Sequence, residues 1–255
     1  MAIQKAALSG YSRLVKGVTI IACEVLRDEI AAVAGDVPVQ FVPGRLHFHH
    51  DQLRQELAQR FARVPEGDTI LLAYGRCALG AGRLEAASHR LVLPAVDNCV
   101  ALLLGSGAAY RRELRGRPGS LYYTRGWTDG MDDPYRMYVQ AVERLGEEAA
   151  RRWAGLLFSG YSRIALVETD SLPAEQARAY AGRVAAASGL PLQTIRGSLT
   201  LIEKLLQGPW DDDFVVVEPG GILDDSTFWR RERLRRTAGA NREHDPADPE
   251  PVFAP

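Results

Sequence analysis

Short apolar runs alternate along this chain with stretches of helical periodicity, and that alternation restricts it to an α/β fold. The runs cover residues 18–22, 37–42, 69–74, 90–95, 164–167, 192–195 and 214–217. Most are apolar at consecutive positions, not alternate ones, which is the pattern of parallel strands covered on both faces. Between them, Leu26, Ile30 and Val33 recur at helical spacing before Gly35, and Leu53, Leu57 and Phe61 form one stripe after Asp51. The expected architecture is two Rossmann-like lobes with mainly parallel sheets and a ligand crevice at the strand carboxyl ends.

The lobes are expected at residues 1–128 and 129–229, divided at Asp129-Gly130-Met131-Asp132-Asp133. One long helix is predicted over residues 134–158, with Val142, Leu145, Ala149 and Trp153 on one face. Residues 230–255 form a tail. Its Arg230, Arg231, Arg233, Arg235 and Arg236 read either as a contact for an acidic partner or as a solvated helix end leading into disorder.

Each cysteine sits just beyond a predicted strand. Cys23 follows the run 18–22, Cys77 follows 69–74, and Cys99 follows 90–95. The chain has only these three cysteines, an odd number with no close-set pair, which suits reduced thiols in a cytosol and not a disulfide frame. A lone cysteine usually packs as a small hydrophobe. If the three strands are neighbours in a parallel sheet, however, a strand spacing of about 4.8 Å brings all three sulfurs to one edge. Cys23, Cys77 and Cys99 are therefore expected to bind a soft metal, zinc or an iron–sulfur cluster. His47, after the second run, is the candidate fourth ligand or acid–base group, with His49 and His50 beside it. Asp97 and Asn98 either orient a ligand or cap the helix that starts near Val100.

The loop 75–82 is rich in glycine and is expected between a strand and a helix, where Gly75 and Gly80 would bring backbone N–H groups near a phosphate-bearing cofactor. It lacks the Lys-Ser/Thr of a phosphate-binding loop and the dinucleotide spacing, so glycines permitting close packing around Cys77 are the competing explanation. Glu168, Asp170 and Glu218 end strands and are candidates for the same crevice. Tyr122, Tyr123 and Trp127 are expected to pack the seam between lobes. No Gly-x-Ser-x-Gly elbow and no His-Glu-x-x-His is present, which removes serine hydrolase and zinc protease readings.

A net charge of −1 argues against a general nucleic-acid or membrane-surface binder. No apolar run approaches the roughly 18 residues of a membrane span, and residues 1–16 lack the pattern of a signal peptide, so a cytoplasmic location is expected.

Several stretches resemble a family of domains of unknown function, DUF1638. They are Ile21-Ala22-Cys23-Glu24-Val25-Leu26-Arg27-Asp28-Glu29, Leu46-His47, Tyr74-Gly75-Arg76-Cys77-Ala78-Leu79-Gly80, Asn98-Cys99-Val100-Ala101-Leu102-Leu103-Leu104-Gly105-Ser106, Tyr122-Tyr123-Thr124-Arg125-Gly126-Trp127 and Phe214-Val215-Val216-Val217-Glu218-Pro219-Gly220-Gly221. The resemblance implies that Cys23, His47, Cys77 and Cys99 are motif residues. The chain departs from the family at Ala78-Leu79, where Gly-Asn is typical, and at Asp97-Asn98, where His-Asp is typical. The resemblance also implies company with corrinoid-dependent methyl transfer on methylated amines, hence a corrinoid protein or methyltransferase as partner beside a small-molecule substrate. No Asp-x-His-x-x-Gly run is present, so the corrinoid itself is not expected on this chain. The resulting expectation is an enzyme or accessory subunit of one-carbon or sulfur metabolism. The alternatives are a non-catalytic metal or cluster carrier and a nucleotide binder with structural cysteines.

Overall fold

A computed structural model of the protein describes residues 17–80, 82–128, 131–169 and 174–228. Strand β1 (Val18–Cys23) is buried at every position, as a strand covered on both faces must be. It pairs in parallel with β2 (Val39–Val42) on one side and β3 (Thr69–Ala73) on the other. Beyond β3 lies β5 (Arg90–Pro94), also parallel, and β9 (Phe214–Val217) closes that edge antiparallel to β5. The order β2-β1-β3-β5-β9 places the carboxyl ends of β1, β3 and β5 side by side on one edge of the sheet.

The flanking helices follow their apolar stripes. α1 (Arg27–Val33) buries Ile30 and Val33, and α2 (His50–Phe61) buries the expected Leu53, Leu57 and Phe61. α3 (Cys99–Leu103) and α4 (Gly107–Gly116) are separated at Gly105, whose φ of 76° suits glycine. α9 (Thr200–Gln207) lays Leu201, Ile202, Leu205 and Leu206 against β3 and β5.

A second, all-parallel sheet has the order β6 (Ser120–Tyr123), β7 (Arg163–Glu168), β8 (Leu192–Arg196). It carries its own apolar cluster, in which α8 (Glu175–Ser188) buries Ala177, Tyr180, Ala181 and Val184. The short helix α5 (Arg125–Thr128) follows β6 directly. A two-stranded antiparallel ribbon of β4 (Arg83–Glu85) and β10 (Ile222–Asp224) completes the strands among the described residues. The protein is thus a mixed α/β structure with mostly parallel sheets.

Several elements differ from expectation. The single helix over 134–158 is two, α6 (Pro134–Leu145) and α7 (Glu147–Leu157). Gly146 between them has φ 81°, a conformation that ends an α-helix, and Leu145 is left 63% exposed. The buried face of α7 consists of Ala150 and Ala154 in place of Ala149 and Trp153. β4 and β10 are too short, at three residues each, to leave a sequence pattern. β6 precedes the expected lobe division at 128/129 yet pairs within the second sheet, and β9 follows it yet belongs to the first. Asp129, Gly130 and the arginine run 230–236 lie outside the described residues. No helix among the described residues is long and apolar enough to cross a membrane.

One buried acid ties the second sheet to its helices. Asp133 is 4% exposed and caps α6 by accepting the backbone N–H of Tyr135 (2.7 Å) and Arg136 (3.1 Å). Its carboxylate also accepts the hydroxyls of Tyr123 (3.2 Å) and Tyr180 (2.5 Å). Asp133→Ala removes the cap and leaves two buried hydroxyls unpaired, at an expected cost of about 3–5 kcal/mol. A urea-unfolding midpoint equal to wild type would contradict this network.

Candidate functional site

The site is built where β1, β3 and β5 end. Cys23 is the last residue of β1 and registers with Val42, the last of β2. From Val42 the chain turns at Pro43 into a short 3-10 helix, Gly44–Phe48, that carries His47. β3 runs through buried Tyr74 to Gly75 and a second 3-10 turn, Arg76–Ala78, that carries Cys77. After β5, Ala95 to Asn98 lead to Cys99, the first residue of α3.

Two backbone hydrogen bonds clasp the last two loops together. Arg76 N–H donates to the Val96 carbonyl (2.8 Å) and Cys77 N–H to the Asp97 carbonyl (3.0 Å). Gly75 permits this approach, since a Cβ there would lie 2.5 Å from Asn98 N and 2.7 Å from the Val96 oxygen. Asn98 accepts the Ala101 N–H (3.2 Å) as the cap of α3 and donates to the Tyr110 hydroxyl (2.8 Å). The cap reading of Asn98 is therefore the one observed.

Cys23, Cys77, Cys99 and His47 line one narrow cavity with room for little more than a water molecule. Val25, Pro43, Leu53 and Trp127 supply its apolar walls, and Tyr74 its polar one. Trp127 reaches the cavity from α5, and it does so because Gly126 packs directly on the Val25 carbonyl, where any Cβ would overlap. The His47 ring stands edge-on to Trp127, with centroids 5.4 Å apart, and to Phe48 at 5.1 Å. Among the described residues, Tyr74 Oη and Trp127 Nε1 are buried with no oxygen or nitrogen partner at hydrogen-bonding geometry. Tyr74 nevertheless favours the thiolate of Cys23, and Trp127 that of Cys99.

Burial dominates the electrostatics. It pushes the Cys23 thiol up to about 12, with nearby Cys99 adding to the rise. The Cys77 thiol is raised by burial and then by Cys99 and Cys23, and the Cys99 thiol by burial. In all three, burial favours the neutral thiol over the thiolate, the opposite of the activation a cysteine hydrolase gives its nucleophile. Burial lowers the pKa of His47, with His50 adding to it, so its imidazole is neutral and has a lone pair to offer. Within this neutral arrangement the side chains are not drawn into a cage. Among the described residues, no group of three or more His, Cys, Asp or Glu side chains is disposed to hold a metal ion.

Other candidate residues fall elsewhere. His49 and His50 are exposed, and the His50 ring covers Gly80. The loop from Gly75 leads into β4, not a helix, so the helix N-terminus on which a phosphate cradle depends is missing there. The Arg54 side chain likewise covers Gly82. Gly75 and Gly80 are accounted for by these close contacts. Glu218 points away from the cavity because β9 is antiparallel: its carboxyl end lies beside the start of β5, and Glu218 pairs there with Arg90. Glu168 pairs with Arg178 at the end of β7, and Asp170 lies outside the described residues. Tyr74 and Trp127 were not legible as cavity residues. Tyr74 reads as the end of an apolar strand, and Trp127 as seam packing.

A family model described as a protein of unknown function (DUF1638) matches residues 41–206. His47, Cys77 and Cys99 lie inside the matched range, and Cys23 precedes it. No curated protein and no solved structure matches the chain.

Gly75→Ala forces the two clasped loops apart and is expected to cost roughly 2–4 kcal/mol. It is also expected to speed the reaction of the native thiols with a disulfide reagent. Unfolding and labelling rates equal to wild type would show that the loops do not depend on this contact.

Proposed function

The chain belongs to the DUF1638 family, and for it we propose that Cys23, Cys77 and Cys99 hold a soft metal centre, with His47 as fourth ligand or acid–base group. The observation that carries the proposal is the meeting of all three cysteines of the chain, from three neighbouring parallel strands, in one cavity with a neutral imidazole. Thiolate and imidazole donors suit zinc or an iron–sulfur cluster and disfavour magnesium or calcium. The fit extends to the surroundings. Tyr74 and Trp127 face Cys23 and Cys99 from the cavity wall and favour their thiolates, as groups that donate hydrogen bonds to ligand sulfur do.

Loading the site would require the loss of thiol protons and a rearrangement of the side chains, because as they stand no three of the described His, Cys, Asp or Glu side chains are disposed to hold a metal. Such a centre, when bound with one position open, supplies a Lewis acid for a substrate sulfur or oxygen. The protein's own residues do the rest. Val25, Pro43, Leu53 and Trp127 exclude water from one side, and the clasp between the β3 and β5 loops holds Cys77 and Cys99 in fixed relation. His47, neutral and held edge-on against Trp127, accepts or delivers a proton at the mouth when it is not a ligand.

The burial of Cys23 and Cys99 favours an enzyme or enzyme subunit over a carrier with an exposed cluster. The glycine loop, backed by His50 and Arg54, gives the nucleotide-binding alternative no support. We place the activity in one-carbon or sulfur metabolism, with a metal-held substrate thiol as methyl acceptor beside a corrinoid-dependent methyltransferase.

Elemental analysis and the visible spectrum of protein purified without oxygen test this reading. A brown protein with iron and sulfide identifies a cluster, and a colourless one with about one zinc per chain identifies zinc. Cys77→Ser is expected to lose most of the metal while keeping its far-ultraviolet circular dichroism. Full metal content in that variant, or none in wild type, would overturn the assignment.

A further inference from the structure

The thiol cavity is small, and its size limits what three sulfurs can share. Cys23, Cys77, Cys99 and His47 surround room for about one water molecule. A single ion, with ligand distances of about 2.0–2.3 Å, fits in the place of that water. Even the smallest common iron–sulfur cluster adds two irons and two bridging sulfides, and the four-iron form adds more.

Turning side chains frees little further space, because backbone contacts fix the walls. A Cβ on Gly75 would lie 2.5 Å from Asn98 N, and the N–H groups of Arg76 and Cys77 bond the carbonyls of Val96 and Asp97. That packing holds the Cys77 loop against the Cys99 loop. Gly44 starts the turn that carries His47, and it lies so close to the Met131 sulfur that any Cβ would overlap it. Gly126 packs in the same way on the Val25 carbonyl and keeps Trp127 in the wall. Leu53 and Tyr74, both buried, close the remainder. A cluster therefore has to part packed backbone, whereas one ion asks only for the side chains to turn toward a common point.

The donors agree with the space. The chain has three cysteines, one short of the four that hold a cluster as a rule, and His47 brings the set to the mixed cysteine–histidine four that zinc accepts. Among the described residues, no carboxylate lines the cavity. We infer that this site takes a single zinc ion and has no room for an iron–sulfur cluster. The inference rests on the metal reading above and narrows it to one kind of centre.

The test measures zinc, iron and acid-labile sulfide in the full chain purified without oxygen. The same chain, stripped with a chelator, is then offered either ferrous iron with sulfide or cobalt(II) as a coloured stand-in for zinc. About one zinc per chain without sulfide is expected, and a cobalt titration that saturates near about one equivalent with the strong visible bands of a tetrahedral site. Cys77→Ser is expected to weaken cobalt binding at least about tenfold. Iron and sulfide bound in stoichiometric amounts, as isolated or after reconstitution, overturn this inference and leave the three cysteines as a metal site. No metal as isolated and no cobalt binding remove the metal reading itself, and this inference with it. Cobalt held equally by Cys77→Ser puts the ion elsewhere and overturns both. The stoichiometry is read on wild type, so a poorly folded variant does not shield it.

Discussion

Strand order governs this molecule. β1, β3 and β5 are neighbours and parallel, so three loops far apart in sequence leave the sheet at the same edge and in the same direction. The backbone clasp from Arg76 and Cys77 to Val96 and Asp97 then turns proximity into a fixed relation. The cavity, the burial of its thiols and the neutrality of its imidazole all follow from that arrangement. A different order, with β5 moved away from β3, would separate Cys99 from Cys23 and Cys77.

Much of this was written in local pattern. The consecutive apolar positions of β1, β3 and β5 announce buried parallel strands, and the cysteines at their ends mark where chemistry can sit. Adjacency was not written there. Nothing in residues 214–217 says that β9 runs backwards, and that reversal sends Glu218 to the wrong side of the sheet for the cavity. Gly146 was visible, but the apolar residues on both sides of it continued a helical period across the break. Trp127 owes its role to close tertiary contact, through the space that Gly126 leaves over Val25. Contacts of that kind leave no periodic trace.

A second small cavity, lined by Glu29, Arg125, Val167, Glu168 and Thr169 among others, adjoins the first through two common elements. α5 sends Trp127 into the first and Arg125 into the second, two residues apart on one short helix. The segment after β1 does the same with Val25 and Glu29. Charge on Glu29 is felt at Cys99, so the electrostatic states of the two are linked even though no residue lines both. A shift of α5 away from Val25 would open both at once.

The late return of β9 also bears on how the sheet is made. Its partner β5 is complete by Pro94, yet β9 begins only at Phe214, after the whole second sheet has been laid down. Closure over so long a separation carries a high entropic barrier and slows folding. During synthesis the flank of β5 stays bare until nearly the last described strand emerges, a sticky edge made of Leu91, Val92 and Leu93. Chains interrupted before that point would be prone to associate through that edge.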